Sequence, residues 1–315
     1  MKHAVQKYHE NTFEIIELKN DHVIAKMAVN IGNSLVSLKC NNKEKMYFPF
    51  TFDEYKNNLK LAGNPFLHPF ANRLEDEYIL VENQQHLFPD QNKYLLYRDG
   101  NNLPMHGLLL KSDKWKTIET YEDEDKCFHV AEFVFDDDDF LSIFPFKHKI
   151  QMKHQLQNNK LTIETTVINY DDKPMPVSFG FHPYFLKSKQ HMNLEIAADD
   201  VIEVNERMIP TGNIFNKLQK WDFKNDEISL AENAFDDGFQ NLKSDARNIV
   251  TFKIDDLKIE FDKNYPFAQI YAPKHIAKPY VCIEPMTAAT NSLNKNLCKM
   301  ISKNESFTAS FSVFL

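Results

Sequence analysis

Apolar and polar residues alternate with a period of two along much of the chain. "KLTIETTV" (160–167) sets Leu161, Ile163, Thr165 and Val167 on one face, and "LKIEF" sets Leu257, Ile259 and Phe261 against Lys258 and Glu260. "SFTASFSVFL" alternates Phe307, Ala309, Phe311, Val313 and Leu315 with small polar residues. Each pattern predicts a strand with one buried face. "FKHKIQMKHQLQ" (146–157) repeats it, with Phe146, Ile150, Met152 and Leu156 opposite Lys147, Lys149 and Lys153. His148 and His154 fall on its apolar face, where they read as polar groups satisfied within the core. Helical spacing is scarce: "FDEYKNNLKLAG" (52–63) and the stretch around 228–235 are the candidates. Many strands joined by turns, without strand–helix alternation, predict an all-β antiparallel sandwich or barrel. With no repeat and no Pro/Ser/Gly-rich linker, a single domain over 1–315 is expected.

Composition narrows the function. The 315 residues are 43% hydrophobic, enough for a large core, and only seven are glycine, which disfavours phosphate-cradling loops. A net charge of −8 argues against nucleic acid as a partner. Cys40, Cys127, Cys282 and Cys298 form no CxxC pair and read as reduced, buried thiols. The start lacks a secretory apolar stretch and nothing approaches 18 consecutive apolar residues, so a cytoplasmic protein without a membrane span is expected. The acidic runs at 122–126 and 136–139 lack the spaced ligands of a calcium loop and read as solvated turns.

Five stretches place polar groups beside aromatics, Gly or Pro: "HPFANRLEDE" (68–77), "PMHGLL" (104–109), "SFGFHPYF" (178–185), "AFDDGF" (234–239) and "VCIEPMTAATNSLN" (281–294). Glu284 ends the apolar run "YVCI" and precedes Pro285; His182 precedes Pro183. A proline holds the residue before it extended, so both side chains stand on stiff backbone. A carboxylate at the end of an apolar strand has a raised pKa, in the range of a useful base. Beside His182 it would favour the imidazolium and keep that residue a proton donor. The plainer reading packs His182 among Phe179, Phe181, Tyr184 and Phe185.

"FANRL", "MHG", "HPYF", "DDGF" and "CIEPMTAATNSLN", in this order over about residues 64–294, resemble the aldose 1-epimerase (mutarotase) family. That resemblance implies a large antiparallel β-sandwich, a sugar as partner, and no metal or organic cofactor. It also implies Glu284 as general base and His182 as general acid. His106 would lie near the ring oxygen, while Arg73, Asn72, Asp236 and Gln269 would bind sugar hydroxyls. Asp237 leaves a shifted register open. Phe70, Phe181 or Tyr184 could stack on the sugar. His68, in a second His-Pro pair, is given no role, and "MHGLLL" lacks the polar continuation of galactose-specific members. A free aldohexose, a monomer or homodimer, and neither nucleic acid nor membrane as partner complete the expectation.

Three rivals stand beside it. A hexose-6-phosphate mutarotase of the same clan needs Arg/Lys gathered at the pocket rim, and the linear sequence shows none beyond Arg73. A non-catalytic sugar-binding protein would lack the acid or the base. A metal-dependent β-barrel enzyme would use His106, His182 and Glu284 as ligands, at spacings matching no metal motif.

Overall fold

The computed structural model describes residues 2–81, 83–89, 92–187, 192–224, 226–274 and 278–315. Its architecture is the expected antiparallel sandwich. A nine-stranded sheet runs, in spatial order, Glu227–Ser229, Asn193–Glu195, Val250–Ile254, Leu257–Phe261, Ser306–Phe314, Lys160–Asn169, His148–Gln157, Cys127–Phe135 and Lys116–Glu122. The alternations align across it: Leu161, Ile163, Thr165 and Val167 pair with Val313, Phe311, Ala309 and Phe307. Apolar residues therefore meet apolar residues, and a one-residue slip would turn all of them to the wrong face.

An eight-stranded sheet carries three of the five chemistry-bearing stretches, those at 178–185, 234–239 and 281–294. Its strands are Phe66–Leu67, Gly180–Phe181, Tyr184–Leu186, Asp200–Val204, Pro210–Asn216, Phe235–Gln240, Phe267–Ala272 and Tyr280–Met286. Val281 and Ile283 join the main core with Phe311 and Val313, whereas Tyr280, Cys282 and Met286 belong to a second cluster on the opposite face. The Tyr280–Met286 strand is thus buried on both sides, and its alternation sorts core from site. A five-stranded meander covers Ala4–Glu10, Phe13–Lys19, Val23–Ala28, Ser34–Cys40 and Lys43–Glu44. Among the described residues no helix is long and apolar enough to cross a membrane.

Phe181 lies 5.1 Å from Phe311 and 5.1 Å from Phe66, ring centre to ring centre. It and Phe70 pack the core and are not part of a sugar platform. Truncating Phe181 would cost about 3–5 kcal/mol and loosen the residue that follows it.

Several local expectations are corrected. The helix predicted over 52–63 spans only Phe52–Asn57. Thr51 and Glu54 form a capping box at its start, and the Asn57 and Asn58 side chains donate to the carbonyls of Asp53 and Glu54 at its end. No helix forms at 228–235: Glu227–Ser229 is a strand, followed by a turn and the Phe235–Gln240 strand. The Ser229 hydroxyl accepts from the Ala231 N–H and the Asn233 amide donates to the Ser229 carbonyl, bonds that compete with helix. Of the acidic runs, 122–126 turns between two strands, but Asp137 caps a short helix, Asp138–Leu141. His148 is satisfied as expected, by the Phe146 carbonyl and by His68. His154 is not, because both its nitrogens are buried without a hydrogen-bond partner; burial pushes its pKa down to about 3, which keeps the ring neutral. All four cysteines are free, but only Cys127 and Cys282 are buried.

Candidate active site

Strand register brings the two principal residues together. Gly180 pairs with Met286 and Tyr184 with Cys282, so His182 falls opposite Glu284. Glu284 does not end its strand as expected; the strand continues through Pro285 to Met286. Pro183 lies in the gap between the two short segments that pair with this strand, where no ladder donor is needed. His182 Nε2 stands 3.3 Å from Glu284 Oε1, and the two residues are only 5% and 1% exposed.

Next in the sheet, Gln269 pairs with Glu284, and Gly238 pairs with Gln269. The Gln269 amide donates to Asp236 Oδ1 at 2.9 Å. Alternation settles the open register: Asp236 shares a face with Gly238, whereas Asp237 lies on the side of Phe235 and Phe239 and ion-pairs with Lys220. Asp236, not Asp237, lines the main cavity.

The remaining groups come from irregular chain. Asn72, His106 and Asn291 have positive φ (60°, 67° and 61°) and form a frame in which the His106 N–H donates to the Asn72 carbonyl and the Asn291 N–H to the Arg73 carbonyl. Gly107 follows at φ 72°, where a Cβ would meet the His68 carbonyl oxygen at 2.2 Å, so only glycine fits. Arg73 donates through Nε to Asp99 Oδ2 at 2.7 Å and through Nη1 to Asn72 Oδ1 at 2.9 Å; its Nη2 is 3.9 Å from Asp236 Oδ2. Asp99 in turn accepts from the Asn101 and Leu103 N–H groups. It orients the guanidinium, and sequence reading missed it because "RDGNN" looks like any polar turn.

All seven residues expected at the site, Asn72, Arg73, His106, His182, Asp236, Gln269 and Glu284, line one cavity of about 480 Å³. That volume suits a small-molecule site, which spans roughly 300–1,000 Å³. Tyr47, Tyr97, Tyr184, Tyr271 and Tyr280 form an aromatic wall, of which the sequence offered Tyr184 as a platform for the sugar. Tyr184 stacks parallel on His182 at 4.4 Å, with its hydroxyl 3.3 Å from Nε2. Among the described residues no three His, Cys, Asp or Glu side chains are arranged to hold a metal ion.

The electrostatics differ from expectation. Burial pushes Glu284 well above the ordinary carboxylate range; nearby Asp236 adds to this and Arg73 offsets part of it. Burial also lowers His182 to about 3, and it lowers His106 well below the usual histidine value, helped by His182 and Arg73. Burial thus favours a carboxylic acid beside a neutral imidazole over a carboxylate beside an imidazolium. Desolvation of two charges outweighs their attraction in so dry a site. Either form holds one mobile proton between the two residues, and moving it across 3.3 Å interconverts them.

Glu284 Oε2, His182 Nδ1 and His106 Nδ1 are all buried without a hydrogen-bond partner. Such atoms are costly, and all three belong to residues that line this one cavity.

Comparison with known proteins agrees. A galactose mutarotase-like protein from Clostridium acetobutylicum superposes with a TM-score of 0.86 at 22% identity, covering 99% of this chain and 98% of its own. Galactose 1-epimerase from Lactobacillus acidophilus NCFM gives 0.76 at 16%, covering 100% and 98%. The GalM/aldose epimerase homologue from C. elegans gives 0.75 at 17%, covering 96% and 98%. At these identities the likenesses establish the fold. Residues 14–309 match the aldose 1-epimerase family, and the chain belongs to that family.

Proposed function

We propose that the protein interconverts the α and β anomers of an aldohexose by opening and reclosing the ring. The observation that carries this reading is the contact of Glu284 with His182, 3.3 Å apart on one wall of one cavity. Ring opening removes a proton from the C1 hydroxyl and delivers one to the ring oxygen. Sugar hydroxyls arriving at the cavity side of this pair stabilise its charged form. Glu284 then accepts the C1 hydroxyl proton while His182 donates to the ring oxygen. Rotation about C1–C2 exposes the other carbonyl face, and both transfers reverse to give the opposite anomer. The atoms balance without a redox partner or nucleophile.

His106 faces the ring oxygen, and Arg73, held by Asp99, grips hydroxyls together with Asn72, Asp236 and Gln269. Each well-placed acid or base contributes about 10²–10⁴-fold in rate. Polarimetry of freshly dissolved sugars is the test: acceleration by the native protein and its loss in Glu284→Gln support the reading, and an unchanged rate in that variant overturns it.

A further inference from the structure

Three cations that the sequence scatters gather at the mouth of this cavity: Lys60, Arg98 and Lys278. They are not equivalent. Arg98 is engaged by both oxygens of Glu77 and by the Asn102 carbonyl. Lys278 donates to the Tyr271 hydroxyl at 3.1 Å, and Lys60 lies 6.0 Å from the Phe50 ring centre. Among the described residues neither of these two ammonium groups has a carboxylate partner.

The depth of Lys278 is set by its partner. The Tyr271 ring is 6.1 Å from the His182 ring, so a single tyrosine links the ammonium to the proposed proton donor. Its charge also reaches Tyr97, on whose phenol it acts with Arg73 against the effect of burial. The acids within the cavity are spoken for: Asp99 and Asp236 face Arg73, and Asp236 also takes the Gln269 amide. A protein of net charge −8 therefore presents two lysines without carboxylate partners on the lining of this cavity.

Building on the mutarotase reading, we propose that the sugar carries an anionic group at the end remote from its anomeric carbon, and that Lys278, with Lys60, holds it. Charge-assisted bonds from ammonium groups are stronger than bonds to a neutral hydroxyl. Because both lysines are exposed, their attraction is screened by salt.

The test compares anomer exchange, read by exchange NMR, for glucose, glucuronate and glucose 6-phosphate with the native protein, Lys278→Gln and Lys60→Gln, at low and high salt. We expect kcat/KM for an anionic sugar to exceed that for glucose by about 10–100-fold, with the ratio falling toward one in Lys278→Gln and in salt. A gain shared by both anionic sugars assigns the mouth to any anion, and a gain with the phosphate alone assigns it to the dianion. Equal or better turnover of glucose, or a ratio unmoved by Lys278→Gln, overturns the proposal while leaving the mutarotase reading intact. Failure of the native protein to accelerate any of the three sugars overturns both.

Discussion

Two buried histidine pairings in this protein are built from similar parts and have different capacities. In the core, His68 Nε2 meets His148 Nε2 at 2.8 Å, with the Phe66 ring stacked on His68, the Phe135 ring on His148, and Phe144 edge-on to both. In the site, His182 meets Glu284 at 3.3 Å under a cavity. Burial keeps the histidines of both pairings neutral, lowering His148 to about 4 and His182 to about 3. The difference lies in the partner and in access. A carboxyl group adds a proton that can move, and the cavity gives a ligand access to one side of the pair. Burial of a histidine therefore says little about function until the partner and the open side are known.

The sharpest way to break this contrast is Glu284→Gln, which should lower mutarotation by about 10²–10⁴-fold while sugar binding, measured by calorimetry, survives. Arg73→Lys comes next. It keeps the charge but loses the planar fork that spans Asp99 and Asn72, and should cost about 10–10³-fold in kcat/KM for sugar. His68→Phe should act in the other region, removing a buried hydrogen bond at a cost of about 1–3 kcal/mol, read as a lower Tm, with little change in specific activity of the folded protein. Loss of anomer exchange equal to that of Glu284→Gln would abolish the distinction between the pairings.

The smallest effect concerns pH and stability. Glu284 has a folded pKa above its unfolded value, so its stabilising contribution is full below about pH 4 and is lost as pH rises through the folded value. His182 has the opposite sense: its folded pKa is below the unfolded value of about 6.5, and stability falls as pH drops toward about 3. Thermal melts across pH should show Glu284→Gln escaping the loss on the alkaline side and keeping the one on the acid side. A protonated-carboxyl infrared band that persists above about pH 5 and vanishes in the variant would report the same proton directly.

Much of this was legible in the chain. Alternation in "KLTIETTV" and "SFTASFSVFL" identified strands and their buried faces, because the side-chain direction along a strand is a local property. Five short motifs pointed to six residues and the resemblance they carry added Gln269, and all seven line the cavity. The 228–235 stretch misled because side-chain bonds of Ser229 and Asn233 override its helical spacing.

What the sequence determined by itself is the strand character and buried face of the alternating segments, and the stiff Pro-flanked backbone under His182 and Glu284. Only the tertiary structure decided which of Asp236 and Asp237 faces the cavity, that Asp99 holds Arg73, and that Lys60 and Lys278, 218 positions apart by their numbers, share one mouth. It also decided that burial raises the Glu284 carboxyl above its ordinary range. Pairing register, desolvation and cation clustering depend on distances between segments remote in the chain, and no local pattern encodes those distances.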